Sequence, residues 1–127
     1  MISKFRVWLP NPDVERMLRV KALVFEHDKT RCVCGYAYDF YLEDEDAIIM
    51  QSTGLRDKNG KEIFEGDIVK MAKDVYSDPT YYEVIRHRGG SYRLDSNQHG
   101  CELWLRHTNC EVIGNIYENP ELLEVTE

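Results

Sequence analysis

The chain has 127 residues, of which 43% are hydrophobic and 31% are charged, and its formal net charge at pH 7 is -7. This length fits one domain or two small lobes, and an acidic chain is not drawn nonspecifically to nucleic acid phosphates. The sequence contains no apolar run long enough for a transmembrane helix and no secretory pattern at its start. We therefore expect a cytoplasmic protein without a membrane partner, whose four cysteines are reduced thiols.

Alternation of apolar and polar residues dominates the first third of the chain, and a period of two is typical of strands with one buried face. It predicts a strand over residues 4–9, a turn with a short helical piece over 13–16, and a second strand over 17–25. A third strand is predicted to place six side chains of one parity on one face. They are Cys32, Cys34, Tyr36, Tyr38, Phe40 and Leu42. The acidic run 43–46 then predicts a solvated loop.

The rest of the chain continues with short strands and turns. Strands are predicted over residues 47–51, 68–73, 81–87, 91–95, 101–105 and 110–117. Gly89–Gly90 predicts a tight hairpin turn, and Asn119 before Pro120 predicts the N-cap of a short C-terminal helical turn. The sequence thus indicates a mainly β protein of about eight to ten strands, a small barrel or sandwich. A soft boundary separates an N-terminal β region, 1–46, from a second part, 47–127.

The segment 50–69 combines carboxylates with glycines and resembles a metal-binding loop. An EF-hand loop that began at Asp57 would place Lys61 and Ile68 where oxygen ligands are required, so calcium binding is rejected. Asn59–Gly60 instead predicts a two-residue hairpin turn, because both residues tolerate positive φ. Further bends are predicted at Thr53–Gly54 and at 65–67, where Gly66 turns the backbone and Asp67 accepts hydrogen bonds from amides. These bends suit the corners of a small barrel.

Residues 4–8, 50–69 and 112–122 together resemble the YopX family of phage and prophage proteins. The resemblance implies an SH3-like small β-barrel for the second part of the chain, with the N-terminal β region beside it. It also implies a phage or prophage origin, a place in the host cell cytoplasm, and self-association. The resemblance brings no catalytic or cofactor-binding residues. The matching motif residues, all predicted to be structural, are Thr53, Gly54, Leu55, Asp57, Asn59, Gly60, Glu65, Gly66, Asp67, Gly114, Asn115, Tyr117, Asn119 and Pro120.

Cysteine and histidine residues raise two catalytic alternatives. A zinc site could draw on Cys32, Cys34, His99, Cys101, His107 and Cys110. Their spacing departs from the usual zinc signatures, and several of these cysteines fall on predicted buried faces, where a free thiol behaves as a small hydrophobe. Cys110 with His107 is the local candidate for a cysteine nucleophile and its base. We predict no cofactor, no metal and no enzymatic activity, with a metal-dependent enzyme as the least favoured alternative.

Nucleic acid binding is the stronger alternative, because small barrels often bind DNA or RNA through aromatic and basic side chains. The candidate contacts around the Gly89–Gly90 hairpin are Arg86, Arg88, Arg93 and Trp104. Trp104 has the opposite parity from its apolar neighbours and is expected to be exposed. In the competing interpretation the arginines solubilise hairpin tips and the aromatic side chains seal a subunit interface.

Aromatic residues are abundant for a small barrel, with eight tyrosines, two tryptophans and four phenylalanines. Surplus aromatic side chains and exposed strand edges favour contacts with other proteins. The sequence therefore predicts a noncatalytic interaction module that self-associates into a homo-oligomer and binds a protein partner.

Overall fold

The computed structural model describes residues 4–11, 16–35, 39–72, 76, 78–87, 89–96 and 100–123. Within these residues it contains twelve β-strands, one short α-helix and two 3-10 helices, so the prediction of a mainly β protein is confirmed. The chain divides into two compact units, Met1–Gln51 and Ser52–Glu127. The division lies inside a strand, a few residues after the acidic run at which the sequence suggests a boundary.

Unit 1 contains two antiparallel arrangements of strands. Strand β1 (Phe5–Leu9) pairs with β2 (Arg16–Val20) and with the first half of β6 (Ile48–Arg56). A separate three-stranded sheet follows the order β3-β4-β5. Its strands are β3 (Ala22–Phe25), β4 (Thr30–Val33) and β5 (Phe40–Tyr41).

The prediction of one strand over residues 17–25 is wrong. The chain bends at Lys21, whose backbone N–H donates to Val33 O at 2.7 Å, and the two halves pair with different strands. Apolar patterning cannot show this break, because both halves contribute to buried surface. The helical piece expected over 13–16 falls outside the described residues, apart from Arg16, which begins β2.

The core of unit 1 includes much of the face predicted for the third strand. Cys32, Cys34 and Phe40 are buried and Leu42 packs against them, so the described members share one core. Tyr36 and Tyr38 lie outside the described residues. The prediction of one strand through these residues is wrong: β4 ends at Val33, and Phe40–Tyr41 form β5, which pairs antiparallel with β4. The acidic run 43–46 forms an exposed turn, as expected.

Unit 2 begins with the second half of β6, which pairs with β7 (Glu62–Phe64). A five-stranded antiparallel sheet follows in the order β11-β10-β9-β8-β12. Its strands are β8 (Asp67–Met71), β9 (Thr80–Arg86), β10 (Tyr92–Asp95), β11 (Gly100–Glu102) and β12 (Glu111–Asn115). The fold has a curled sheet and is consistent with a small barrel-like protein. The narrower SH3-like assignment stays a prediction.

The core of unit 2 lies against one face of the five-stranded sheet. Its fully or nearly fully buried members are Ile63, Val69, Met71, Tyr82, Val84, Leu94, Leu103 and Cys110. Residues at alternate positions of β8 and β9 belong to this set, as the period-two pattern predicts. Leu55 packs against it from β6.

The strand predicted over residues 101–105 is wrong beyond Glu102. After β11 the chain forms the one-turn helix α1 (Leu103–Arg106) and then a 3-10 helix over His107–Asn109. A run of five alternating residues is too short to distinguish a strand from a helical turn. Burial of Leu103 in the core overrides the local β preference.

The short C-terminal helical turn is confirmed as a 3-10 helix over Pro120–Leu123. The predicted N-cap residue, Asn119, uses its side chain differently: its Oδ1 accepts from the backbone N–H of Asn115, upstream of the turn, at 3.2 Å. Asn119 also packs so closely against Gly114 that a Cβ atom there would collide with its side chain. This contact lies at the bulge of β12, where the register with β8 shifts.

Candidate functional site

The Asn59–Gly60 signal marks a hairpin, but the turn is longer than predicted. Asp57 N–H donates to Lys61 O at 2.8 Å and Gly60 N–H donates to Asp57 O at 3.0 Å, which closes a three-residue loop over 58–60. Gly60 has a φ of +83°, whereas Asn59 is not among the residues with positive φ, so the expectation of two such residues is wrong. A three-residue hairpin needs the left-handed conformation only at its glycine.

The β9–β10 hairpin repeats this geometry. His87 N–H donates to Ser91 O at 2.7 Å, Gly90 N–H donates to His87 O at 2.8 Å, and Gly90 has a φ of +90°. The hairpin predicted at Gly89–Gly90 is therefore confirmed. Arg88 lies outside the described residues.

The Asp57 carboxylate accepts hydrogen bonds from backbone amides of its own hairpin and of β12. Its Oδ1 accepts from Asn59 N–H at 2.9 Å and from Lys61 N–H at 2.8 Å, and its Oδ2 accepts from Val112 N–H at 2.8 Å. Burial to 6% exposure would by itself raise the pKa of Asp57, but these three donors, with the nearby Lys61 charge, lower the pKa below its usual 3.8. Asp57 therefore connects the hairpin to β12, a strand far away in sequence.

Two further contacts join the same hairpin to the segment before β12. Lys58 N–H donates to Cys110 O at 3.0 Å, and Nδ1 of His107 lies 2.8 Å from Arg56 O. A carbonyl oxygen can only accept, so Nδ1 of His107 carries the proton in this contact. We refer to residues 56–58 as the hairpin clamp, because all three hold the segment 107–112.

The segment held by the hairpin clamp carries two exposed apolar side chains. Within α1, Leu103 is fully buried, whereas Trp104 is 63% exposed and Leu105 is 57% exposed. Cys110, also fully buried, fixes the chain after the 3-10 helix. We refer to the side chains of Trp104 and Leu105 as the Trp104–Leu105 surface. The expected exposure of Trp104 is confirmed, although a helical turn and not strand parity produces it.

The other residues of the central motif shape the backbone. Gly54 has a φ of +79° inside β6, where the register with β7 shifts, and Thr53 Oγ1 donates to Ile63 O across this bulge at 2.7 Å. Gly66, with a φ of +89°, donates to Val84 O and accepts from Ile116 N–H. Asp67 Oδ2 accepts from Phe64 N–H at 2.7 Å. Gly66, Asp67 and the half-buried Glu65 turn the chain from β7 into β8.

The C-terminal motif forms a compact turn around Asn115. Asn115 Oδ1 accepts from the backbone N–H groups of Tyr117 at 3.0 Å and Glu118 at 2.8 Å, and its Nδ2 donates to Glu118 Oε1 at 2.7 Å. Pro120 begins the 3-10 helix that follows. The side chains of Asn115 and Asn119 thus form their hydrogen bonds within this turn.

The candidate nucleic acid contacts have differing surroundings. Arg93 Nη1 donates to Glu102 Oε2 at 2.6 Å, and its Nε lies 3.7 Å from Asp95 Oδ1. Arg86 is exposed and interacts with Tyr92, its partner across the strand pair. The positive charge of Arg93 is thus already balanced by carboxylates.

Cys110 and His107 do not meet as a nucleophile and a base. The Cys110 thiol donates to the backbone O of His107 at 3.3 Å, while the imidazole faces Arg56 O. Burial first, and then the Asp57 charge, raise the pKa of the Cys110 thiol to about 11. Among the residues that the structure describes, no three His, Cys, Asp or Glu side chains are grouped to hold a metal ion, and His99 lies outside them.

No helix in the described part is long and apolar enough to cross a membrane.

Comparison with known proteins identifies the family. The YopX protein family model matches residues 4–124. A prophage-derived uncharacterized protein YopX from SPbeta of Bacillus subtilis (strain 168) is 32% identical over 71 residues, which cover 51% of this chain and 52% of the relative. The matched region thus spans about half the length of that curated relative.

Two crystal structures share the fold. The Bacillus subtilis protein yopX superposes with a TM-score of 0.71 at 25% identity and full coverage of both chains. Protein EF1440 from Enterococcus faecalis superposes with a TM-score of 0.64 at 28% identity, covering 97% of this chain and 99% of its own. With the family model matching nearly the whole sequence, the chain belongs to the YopX protein family.

Proposed function

We propose that this protein is a prophage-derived, noncatalytic interaction module of the host cell cytoplasm, which self-associates and binds a protein partner through the Trp104–Leu105 surface. The prophage-derived relative supports the origin. The observation that carries the proposal is the exposure of two adjacent large apolar side chains on one ordered turn.

The energetics of association favour this surface. Tryptophan is among the residues enriched at binding hot spots, where truncation costs about 2 kcal/mol or more. Leu103 and the hairpin clamp hold the turn on both sides of the exposed pair. A preorganised surface loses little conformational entropy on binding, so burial of the two side chains contributes directly to affinity.

A second copy of the chain is the first partner to test. Strand β11, which leads into α1, lies at one edge of the five-stranded sheet. Edge strands present backbone donors and acceptors to a neighbouring chain. The strand edge and the Trp104–Leu105 surface are consecutive in sequence, so one contact could use both.

Sedimentation velocity over a range of protein concentrations tests self-association. The double variant Trp104→Ser/Leu105→Ser is expected to weaken association at least roughly tenfold, about 1.4 kcal/mol. The matched control is Phe25→Ser, which removes an 80% exposed aromatic side chain from unit 1 and is expected to leave association unchanged. A monomeric wild-type protein, or equal association of the double variant and the wild type, contradicts the proposal. Affinity capture from host extract with the same variants then tests the protein partner.

Nucleic acid binding is the second candidate, and one feature favours it: an exposed tryptophan can stack on an unpaired base. The net charge of -7 and the carboxylates around Arg93 oppose it. Anisotropy of labelled single-stranded DNA distinguishes the two, because phosphate contacts weaken steeply with salt and apolar contacts do not.

Zinc at one equivalent per chain in elemental analysis would instead favour a metal-dependent enzyme.

A further inference from the structure

Cys32 and Cys34 bring two free thiols together in unit 1. Their Sγ atoms lie 3.6 Å apart, and both side chains belong to the buried cluster of that unit. A sulfur–sulfur contact of this kind has no role in the proposed interaction surface, which lies in unit 2. It therefore calls for a separate chemical interpretation.

The backbone explains why the two sulfur atoms meet. In a regular strand, residues two apart have Cα atoms about 6.6 Å apart, close to the upper limit of about 6.8 Å for a disulfide. Here β4 ends at Val33, and the positive φ of Gly35 turns the chain immediately after Cys34. Cys34 lies outside the strand, so it can approach Cys32 without breaking a backbone pair of β4.

We propose that Cys32 and Cys34 are an oxidation site, which a small-molecule disulfide such as glutathione disulfide converts into a reversible intrachain disulfide. The sulfur atoms need to approach by about 1.5 Å to reach the length of an S–S bond. Cytosolic disulfides, where they occur, are mostly transient and redox-linked.

The reaction proceeds in two exchange steps. The Cys34 thiolate attacks one sulfur of the small disulfide, forms a mixed disulfide, and releases the first thiolate. The Cys32 thiolate then attacks Sγ of Cys34, closes the protein disulfide, and releases the second thiolate. Two protons leave the protein thiols and protonate the two leaving groups, and the two electrons lost by the cysteine pair reduce the small disulfide. Added dithiol reverses both steps.

Cys34 is the first nucleophile, because it is 5% exposed, whereas Cys32 is fully buried within β4. Burial is the main cause that raises the pKa of Cys32 to about 12, and it also raises the pKa of Cys34. Few thiolates are present at neutral pH, so oxidation proceeds slowly through local opening and accelerates as the pH rises.

The other two cysteines provide an internal control. The Cys110 thiol is engaged with the backbone O of His107, and Cys101 is only half-buried. Trypsin leaves Cys32 and Cys34 in one peptide, 32–56, because no Lys or Arg lies between Cys32 and Arg56. Arg106 separates Cys101 from Cys110, so these two fall in different peptides.

The test is incubation of the reduced, full-length folded protein with glutathione disulfide at pH 7 and pH 9, followed by alkylation in denaturant and peptide mass measurement. We expect peptide 32–56 to lose two hydrogen atoms and to resist alkylation. This oxidation should be faster at pH 9 than at pH 7, and dithiothreitol should reverse it. Cys32→Ser should raise glutathionylated Cys34 by roughly tenfold or more, since the resolving thiol is gone. Cys110→Ser should leave the oxidation of peptide 32–56 unchanged.

Three results would overturn the proposal. The first is a peptide 32–56 that remains fully alkylatable in the folded protein at pH 9 however long the incubation with glutathione disulfide lasts, although the same protein is oxidised in urea. The second is a mixed disulfide at Cys34 that does not proceed to the protein disulfide. The third is preferential pairing of Cys101 with Cys110, which appears as two tryptic peptides joined by a disulfide.

Discussion

Removal of the Asp57 carboxylate should destabilise unit 2 and release the segment that carries Trp104. In Asp57→Ala, three backbone N–H groups lose their acceptor, namely those of Asn59, Lys61 and Val112. A hydrogen bond to a charged group contributes about 1.5–3 kcal/mol, and an unsatisfied buried donor keeps a desolvation penalty.

The local exposure of each donor sets the total. Asn59 and Lys61 are exposed, so water replaces much of what their N–H groups lose. Val112 is half-buried and packs against the core, so its N–H group loses more. We therefore expect a loss of about 4 kcal/mol in the free energy of unfolding for Asp57→Ala. Asp57→Asn keeps one oxygen acceptor and should lose about half as much.

Two measurements check this expectation. Urea unfolding gives the change in the free energy of unfolding, and hydrogen exchange over residues 100–112 reports the segment itself. The matched control is Asp44→Ala, which removes an exposed aspartate whose carboxylate pairs with Lys29 in unit 1; its urea midpoint should match the wild type. If Asp57→Ala unfolds like Asp44→Ala, or exchanges normally over 100–112, the Asp57 carboxylate does not hold this segment.

Two further predictions concern the same hairpin. Gly60→Val should lower the free energy of unfolding by about 1–3 kcal/mol, because φ at Gly60 is +83° and a β-branched residue is strained there even with no atom within 4 Å of the added Cβ. The control is Gly89→Val, where φ is not positive and space is also open. Equal urea midpoints for the two variants would contradict the reasoning. Acid should destabilise unit 2 through Asp57: its folded pKa is lowered, so its contribution is present above the unfolded value of about 3.8 and is lost as the pH falls through the folded pKa. Urea midpoints from pH 6 to pH 3 should therefore fall more steeply for the wild type than for Asp57→Asn, and parallel curves would refute the assignment.

The strands were largely predictable, because one buried face imposes a period of two on the sequence. The errors at residues 17–25 and 101–105 share a cause: the apolar pattern continues while the chain changes direction. At Lys21 the chain passes from one sheet to another, and at Leu103 it turns into a helix, yet buried residues lie on both sides of each change. Local periodicity records burial and not the partner of a strand, so tertiary packing decides these points.

The candidate site was predictable only in part. The residue types at Asn59–Gly60 indicate a turn, and the parity of Trp104 indicates exposure. The contact of Asp57 with Val112 spans 55 residues, and a single sequence contains no local signal for such a pair. The exposure of Leu105 was missed for a related reason, since it depends on the helical turn and a strand would have placed Leu105 beside Leu103.

The exposure of Trp104 and Leu105 follows from how α1 is held. A helix of four residues has almost no stability of its own, because nucleation costs more than one turn recovers. Its order must come from anchors on both sides: Leu103 is buried in the core before the exposed pair, and residues 107–112 are bound by the hairpin clamp after it. With both ends fixed, a full turn of helix cannot bury every side chain, and the two at its outer face are left in solvent. The family motif around Asp57 and the Trp104–Leu105 surface are therefore parts of one arrangement, in which a buried carboxylate fixes the position of an apolar surface.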